Sequence, residues 1–203
     1  ENYALGRVDI TPSMKDTVFG RFVSDTAELT EPFGGSNIPL WPAGNNTSNQ
    51  YFTAEHRRIV STNVINQARF GYVRTDEKAD NQGGVPELQF FTGRPMNGSV
   101  NPGGGITTIG ANQLNPFDLL QNKYTLADDV FWNVGRHSLR FGGEAQRIGS
   151  DTFAPFQWGG AWTFNGLQSF LTNQAASLSS ALPGQENAFR KFREWDFVGY
   201  VND

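Results

Sequence analysis

The stretch GRHSLRFGGEAQR, residues 135–147, decides the fold. A Gly-Arg-His turn leads into a run with Leu139, Phe141, Gly143 and Ala145 at one parity, and Ser138, Arg140, Gly142, Glu144 and Gln146 at the other. Alternation with a period of two marks a β-strand whose faces meet different surroundings. One face is slim and apolar, the other polar and charged. Which of them meets water separates a soluble sheet from a membrane wall.

Working outward, the same alternation recurs. NYALGRVDI (2–10) and TVFGRFVSD (17–25) flank the turn TPSMKD, and YFTAEHRRIV (51–60) and VINQARFGYVRT (64–75) flank STN. KYTLADDVFWNV (123–134) runs through GRH into the quoted strand, and FREWDFVGYVND (192–203) closes the series. Between these pairs lie irregular stretches at about 26–50, 76–122 and 149–191, rich in Gly, Pro and Asn. The last includes the aromatic patch FAPFQWGGAWTF and a short helix expected around GLQSFLTNQAASLSSAL. The expected fold is all-β, an antiparallel meander of about seven strands in a single unit over 1–203.

Short turns and long loops alternate along the chain. In an antiparallel meander, successive connections fall at opposite ends of the sheet, so all the long loops gather at one end. Outer-membrane barrels have this layout, and a loop as long as 76–122 counts against a compact soluble domain. The expected architecture is therefore a segment of a large transmembrane β-barrel.

Composition agrees. With 23 Gly and 10 Pro beside 17 Phe and 5 Trp, the chain favours many strands over helices. It has no Cys, hence no disulfide or thiolate metal site. Sixteen Lys and Arg against 20 Asp and Glu give a net charge of -4 without a basic arm, which argues against a nucleic-acid partner. No apolar run approaches the roughly 18 residues of a spanning helix, a test to which barrel strands are blind. The opening ENYALGRVD has neither an initiator Met nor a signal peptide, as in a processed protein or a fragment.

Cost assigns the faces. An Arg or Lys on the lipid side at mid-depth costs about 2–4 kcal/mol. Arg140 and Glu144 are therefore expected to face the lumen, and Leu139, Phe141, Ala145, Trp132 and Phe197 the lipid. Asp128 and Arg147 fall on the apolar parity and are expected near strand ends, where the interface tolerates them.

No catalytic constellation stands out. His137 reads as a solvated turn residue, and His56, beside Glu55, Arg57 and Arg58, as part of a polar or ion-paired cluster. A carboxylate calcium site near Asp76, Glu77 and Asp80 is weaker than a solvated acidic surface. GGSNI (34–38) fails the G-x-S-x-G pattern at its last position, and GGGITTIG (103–110) lacks the Lys-Ser/Thr of a phosphate loop. Asp128 and Asp129 point to opposite faces of a strand and cannot serve one site. No cofactor is expected, and a hydrolase using carboxylates such as Glu144 is the least favoured reading. Because binding residues concentrate on loops, Trp41, Phe90, Phe91, Phe156, Trp158 and Trp162 are the candidate ligand contacts.

Four stretches carry a family resemblance. NYALGRVDITPSMKDTVFGRFVSD, VINQARFGYVRT, GRHSLRFGGEAQR and FREWDFVGYVND resemble, in order, strand motifs of the TonB-dependent outer-membrane receptors of the Oar-like type, which carry a carboxypeptidase-regulatory-like domain. The likeness covers most strands and little of the loops, and Asp203 stands where that family continues through Asp-Trp. The resemblance implies an internal slice of a plugged barrel of about 22 strands in the outer membrane of a Gram-negative bacterium. Its partners would be the rest of the barrel and the plug, TonB through regions outside this sequence, outer-membrane lipid and an unidentified ligand. The alternative reading is a soluble or extracellular all-β binding module, or a strand-exchanged filament subunit assembled through its edges.

Overall fold

The computed structural model describes residues 1–94, 96–182, 184 and 187–203. In chain order the elements are β1 (Asn2–Ser13), β2 (Asp16–Glu31), β3 (Ala43–Ser61), β4 (Val64–Asn81), a 3-10 turn (Pro86–Leu88), β5 (Ser99–Asn101), β6 (Ile109–Gly110), β7 (Phe117–Val134), β8 (His137–Phe153), β9 (Ala161–Thr163), α1 (Leu167–Leu171), β10 (Ser177–Ser179) and β11 (Phe189–Asn202). The seven long strands form one antiparallel sheet in the order β1-β2-β3-β4-β7-β8-β11. This is the expected all-β meander, with β1 and β11 at its edges among the described residues.

The turns at one end are two residues long: Met14–Lys15, Thr62–Asn63 and Gly135–Arg136, with Gly135 at φ +62°. The connections at the other end span 32–42, 82–116 and 154–188, each shorter than its sequence-based bounds. NNTSNQ, expected within a loop, belongs to β3, and DEKADN extends β4. The reason is geometric. At about 3.4 Å per residue, the 19 residues of β3 reach far beyond the roughly 10 needed to cross a bilayer. Where a strand projects into water on both sides, its alternation fades while its hydrogen bonds persist. The expected helix is also shorter: α1 has five residues, and Ser177–Ser179 pairs as a strand.

The largest concentration of buried residues lies in the loops and at the strand ends they join. Trp41, Ala43, Ala79, Ala111, Phe164 and Ala188 are buried there, with Pro102 and Pro155 fully enclosed. There 82–116 and 154–188 interlock in a second sheet, ordered β10-β9-β5-β6, with β5 and β9 parallel. Away from its loop ends, the seven-stranded wall buries only Ala127 and Asp129 among the described residues. Its large apolar side chains stay uncovered, including Val8, Leu126, Phe197 and Val201, at 66, 61, 73 and 79 % exposure. An apolar surface of this extent needs a partner other than water.

Candidate functional site

The register sorts the wall into two unlike faces. One row of paired residues runs Val8, Gly20, Ala54, Phe70, Leu126, Ala145, Phe197 across all seven strands. The next row on that face, toward the loops, is Gly6, Phe22, Phe52, Tyr72, Tyr124, Arg147, Trp195. Its aromatics contact one another and the first row, with Tyr72–Tyr124 centroids 5.0 Å apart and Phe52–Phe70 6.1 Å. Trp132 with Leu139, and Val130 with Phe141, continue the face toward the turns. Leu139, Phe141, Ala145, Trp132 and Phe197 therefore share this apolar-banded face.

The opposite face is charged. Its rows read Arg7, Arg21, Thr53, Gly71, Thr125, Gln146, Asp196 and Asp9, Phe19, Glu55, Arg69, Ala127, Glu144, Val198. Arg140 and Glu144 both lie here, Glu144 accepting a hydrogen bond from the Gln146 amide. The centre of this face is Asp129, whose side chain is 3 % exposed. It accepts from Arg69 Nη2 at 2.5 Å, Arg140 Nη2 at 3.4 Å and the Tyr200 hydroxyl. Arg140 in turn lies 5.0 Å from the Phe131 ring centroid and 5.3 Å from that of Tyr200. One carboxylate thus ties β4, β7, β8 and β11 together.

Asp128 and Asp129 diverge, as alternation requires. Asp128 sits on the apolar-banded face and accepts from Asn66 Nδ2 at 2.8 Å; neither it nor Arg147 is near a strand end as expected, since both lie well inside β7 and β8, one register step either side of the Leu126 row. Nearby on that face, His56 Nε2 lies 2.9 Å and Arg58 Nη1 3.5 Å from Asp16 Oδ1. His56 thus belongs to an ion-paired cluster at the turn end. His137, at its exposed turn, meets Asp203 at 2.6 Å. Asp76 lies 3.7 Å from Arg74, and among the described residues no group of three or more His, Cys, Asp or Glu is placed to hold a metal.

The loop aromatics divide by environment. Trp41 is 2 % exposed: it packs inside the loop layer and offers no surface to a ligand. Its neighbour Gly35 is required, since a Cβ there would lie 2.8 Å from the Trp41 Cβ and 2.9 Å from the Gly110 carbonyl oxygen. Phe90 meets Trp162 edge-on at 6.4 Å, and its ring fills the space left by the missing side chain of Gly98. Phe91 lies against Gly160 and under the Arg94 guanidinium, 4.7 Å away. Trp158 is half-buried, and Phe156 is the most exposed of the six at 51 %.

Arg94, which sequence reasoning missed, joins the two long loops. It donates to the Trp158 carbonyl at 2.7 Å, Ser180 Oγ at 3.1 Å and the Ala181 carbonyl at 3.3 Å. Beside this junction is a cavity of about 580 Å3 lined by Asp80, Asn81, Gly83, Gly84, Pro86, Gln89, Met96, Asn97 and Pro116. None of the six aromatic candidates lines it. Its donors and acceptors are carboxylate, amide and backbone groups, suited to a polar ligand.

Comparison with protein-family models matches residues 1–203 to the outer membrane beta barrel domain. Comparisons with curated proteins and with solved structures return no match. The meander of long strands, the short turns opposite long loops and the exposed apolar band are what such a domain requires. The chain belongs to the outer membrane beta barrel domain family.

Proposed function

We propose that this chain is a wall segment of a TonB-dependent, Oar-like receptor of a Gram-negative bacterium, and that its loop layer meets the ligand during uptake. The apolar-banded face of the wall lies against outer-membrane lipid. The charged face lines the lumen, opposite the plug, and β1 and β11 join the remaining strands of the barrel. The observation that carries the reading is the loop layer: the two longest connections, 82–116 and 154–188, fold into one four-stranded sheet beside a polar cavity. Ordered loops of this size at the outer mouth suit ligand capture. Transport needs no bond chemistry at the site, and the network around Asp129 serves structure.

The test uses the protein in its own outer membrane. Small molecules retained on purification are identified by mass spectrometry, and accumulation of the retained compound is followed in cells. Accumulation is expected to stop when the proton gradient is collapsed, while surface binding persists. Continued accumulation without the gradient would replace energised uptake with a passive pore.

Arg94→Ala is expected to separate the two long loops. A hydrogen bond from a charged group contributes a net of about 1.5–3 kcal/mol. Limited proteolysis should then cut 82–116 and 154–188 sooner, with strand content by circular dichroism unchanged. Ligand retention should fall with it; unchanged protease resistance would remove Arg94 from this role.

A further inference from the structure

The apolar-banded face carries a charged feature that uptake does not use. One register step beyond the aromatic row, toward the loops, polarity reverses to Ala4, Ser24, Gln50, Arg74, Asn122, Gly149, Arg193. Arg147 stands in the aromatic row itself, and Lys191 lies opposite Asp151 one step further out. Asn122, Tyr124, Arg147, Gly149, Asp151 and Arg193 line a cavity of about 170 Å3 on this face. Its floor at Gly149 is bare backbone, with the Arg193 guanidinium carbon 3.6 Å from where a Cβ would be.

Arg193 is fixed: it pairs with Asp151 at 2.7 Å and donates to the Ser150 and Phe192 carbonyls at 3.2 and 2.7 Å. Arg147 forms no ion pair among the described residues and packs over the Trp195 ring, 5.7 Å from its centroid. Two cations, Arg147 and Arg193, thus line the cavity with the single carboxylate Asp151, which pairs with Arg193. An aromatic row marks the depth at which a barrel passes from acyl chains to headgroups. A guanidinium at that depth, facing outward, meets headgroups, and its planar donors match phosphate oxygens.

We propose that this cavity binds the phosphate of an anionic lipid headgroup in the outer leaflet. The proposal rests on the outward orientation of the apolar-banded face. The test uses protein extracted from outer membranes into a neutral maltoside detergent, titrated with dihexanoyl phosphatidic acid or dihexanoyl phosphatidylcholine and read by native mass spectrometry. Phosphatidic acid is expected to bind at least about tenfold more tightly, and Arg147→Ala with Arg193→Ala to lose about that factor. Arg7→Ala with Arg21→Ala, on the opposite face, should leave binding unchanged.

Heat-dependent gel mobility checks that each variant is folded, and Arg147→Gln with Arg193→Gln serves if the alanine pair does not fold. Equal binding by wild type and the folded Arg147 and Arg193 variants would overturn the site. Loss of binding in the Arg7 and Arg21 variant alone would instead overturn the orientation of the wall. Displacement of the lipid by an equal concentration of inorganic phosphate would overturn the lipid as occupant.

Discussion

Leu126→Arg is expected to weaken insertion of the wall, while Thr125→Arg, one residue away, leaves it nearly intact. Leu126 is 61 % exposed on the apolar-banded face, one register step inside the aromatic row, paired across strands with Phe70 and Ala145. Against lipid, an arginine costs about 2–4 kcal/mol at the midplane and about 0–1 at the interface, so one register step inside the aromatic row it should cost about 1–3 kcal/mol, which raises the unfolded-to-folded ratio by roughly 5- to 150-fold. Thr125 pairs with Gly71 and Gln146 on the charged face. An added guanidinium there meets water and polar neighbours, so its effect should stay within about 0.5 kcal/mol. Folding into dilauroyl phosphatidylcholine vesicles, followed by urea titration and gel mobility, measures both variants. Equal losses would sink the assignment of faces, and the reverse order would turn the wall inside out.

That contrast rests on the feature the sequence displays best. All seven long strands announce themselves by alternation wherever one face is apolar, and their short turns fix the meander order. The strand ends were illegible for the same reason: in NNTSNQ and DEKADN both parities are polar, so nothing distinguishes a projecting strand from a loop. The loop sheet was illegible for another. β5, β6, β9 and β10 hold two or three residues each and pair across distant segments, so no local period exists to be read. The aromatic candidates were visible as residue types, but the glycines that receive them were not. Gly160 lies far in sequence from Phe91, Gly98 is eight residues from Phe90 in an irregular loop with no period to relate them, and Gly35 backs directly on Trp41. Asp128 and Asp129 diverge as their adjacency in a strand requires, and the parity that sets Asp129 opposite Leu126, Val130 and Trp132 is the available signal for its place on the charged face. Its partners Arg69 and Tyr200, distant along the chain, could come only from the register.

Removing that carboxylate is the second large effect expected. Asp129→Ala takes the acceptor from Arg69, Arg140 and the Tyr200 hydroxyl at once, on three strands. Breaking a buried pair by deleting one partner costs about 3–5 kcal/mol. Here the arginine side chains are 42 and 45 % exposed and recover water, which lowers the expectation to about 2–3 kcal/mol. The pocket around the carboxylate is tight as well: a Cβ at Gly142 would lie 2.5 Å from both Asp129 Oδ1 and the Asp128 carbonyl oxygen. Gly142→Ala should therefore cost about 1–3 kcal/mol by overpacking the same site. A cycle combining Asp129→Ala with Arg69→Ala should show a coupling of about 1 kcal/mol or more, because the two charges share one network. An Asp129→Ala variant within about 0.5 kcal/mol of wild type would mean that lumen water already satisfies these groups. Because the cluster lies toward the turn end of the wall, ligand retention per folded molecule should be unchanged, and only the folded fraction should fall. Loss of retention in molecules that remain folded would instead connect Asp129 to the ligand path.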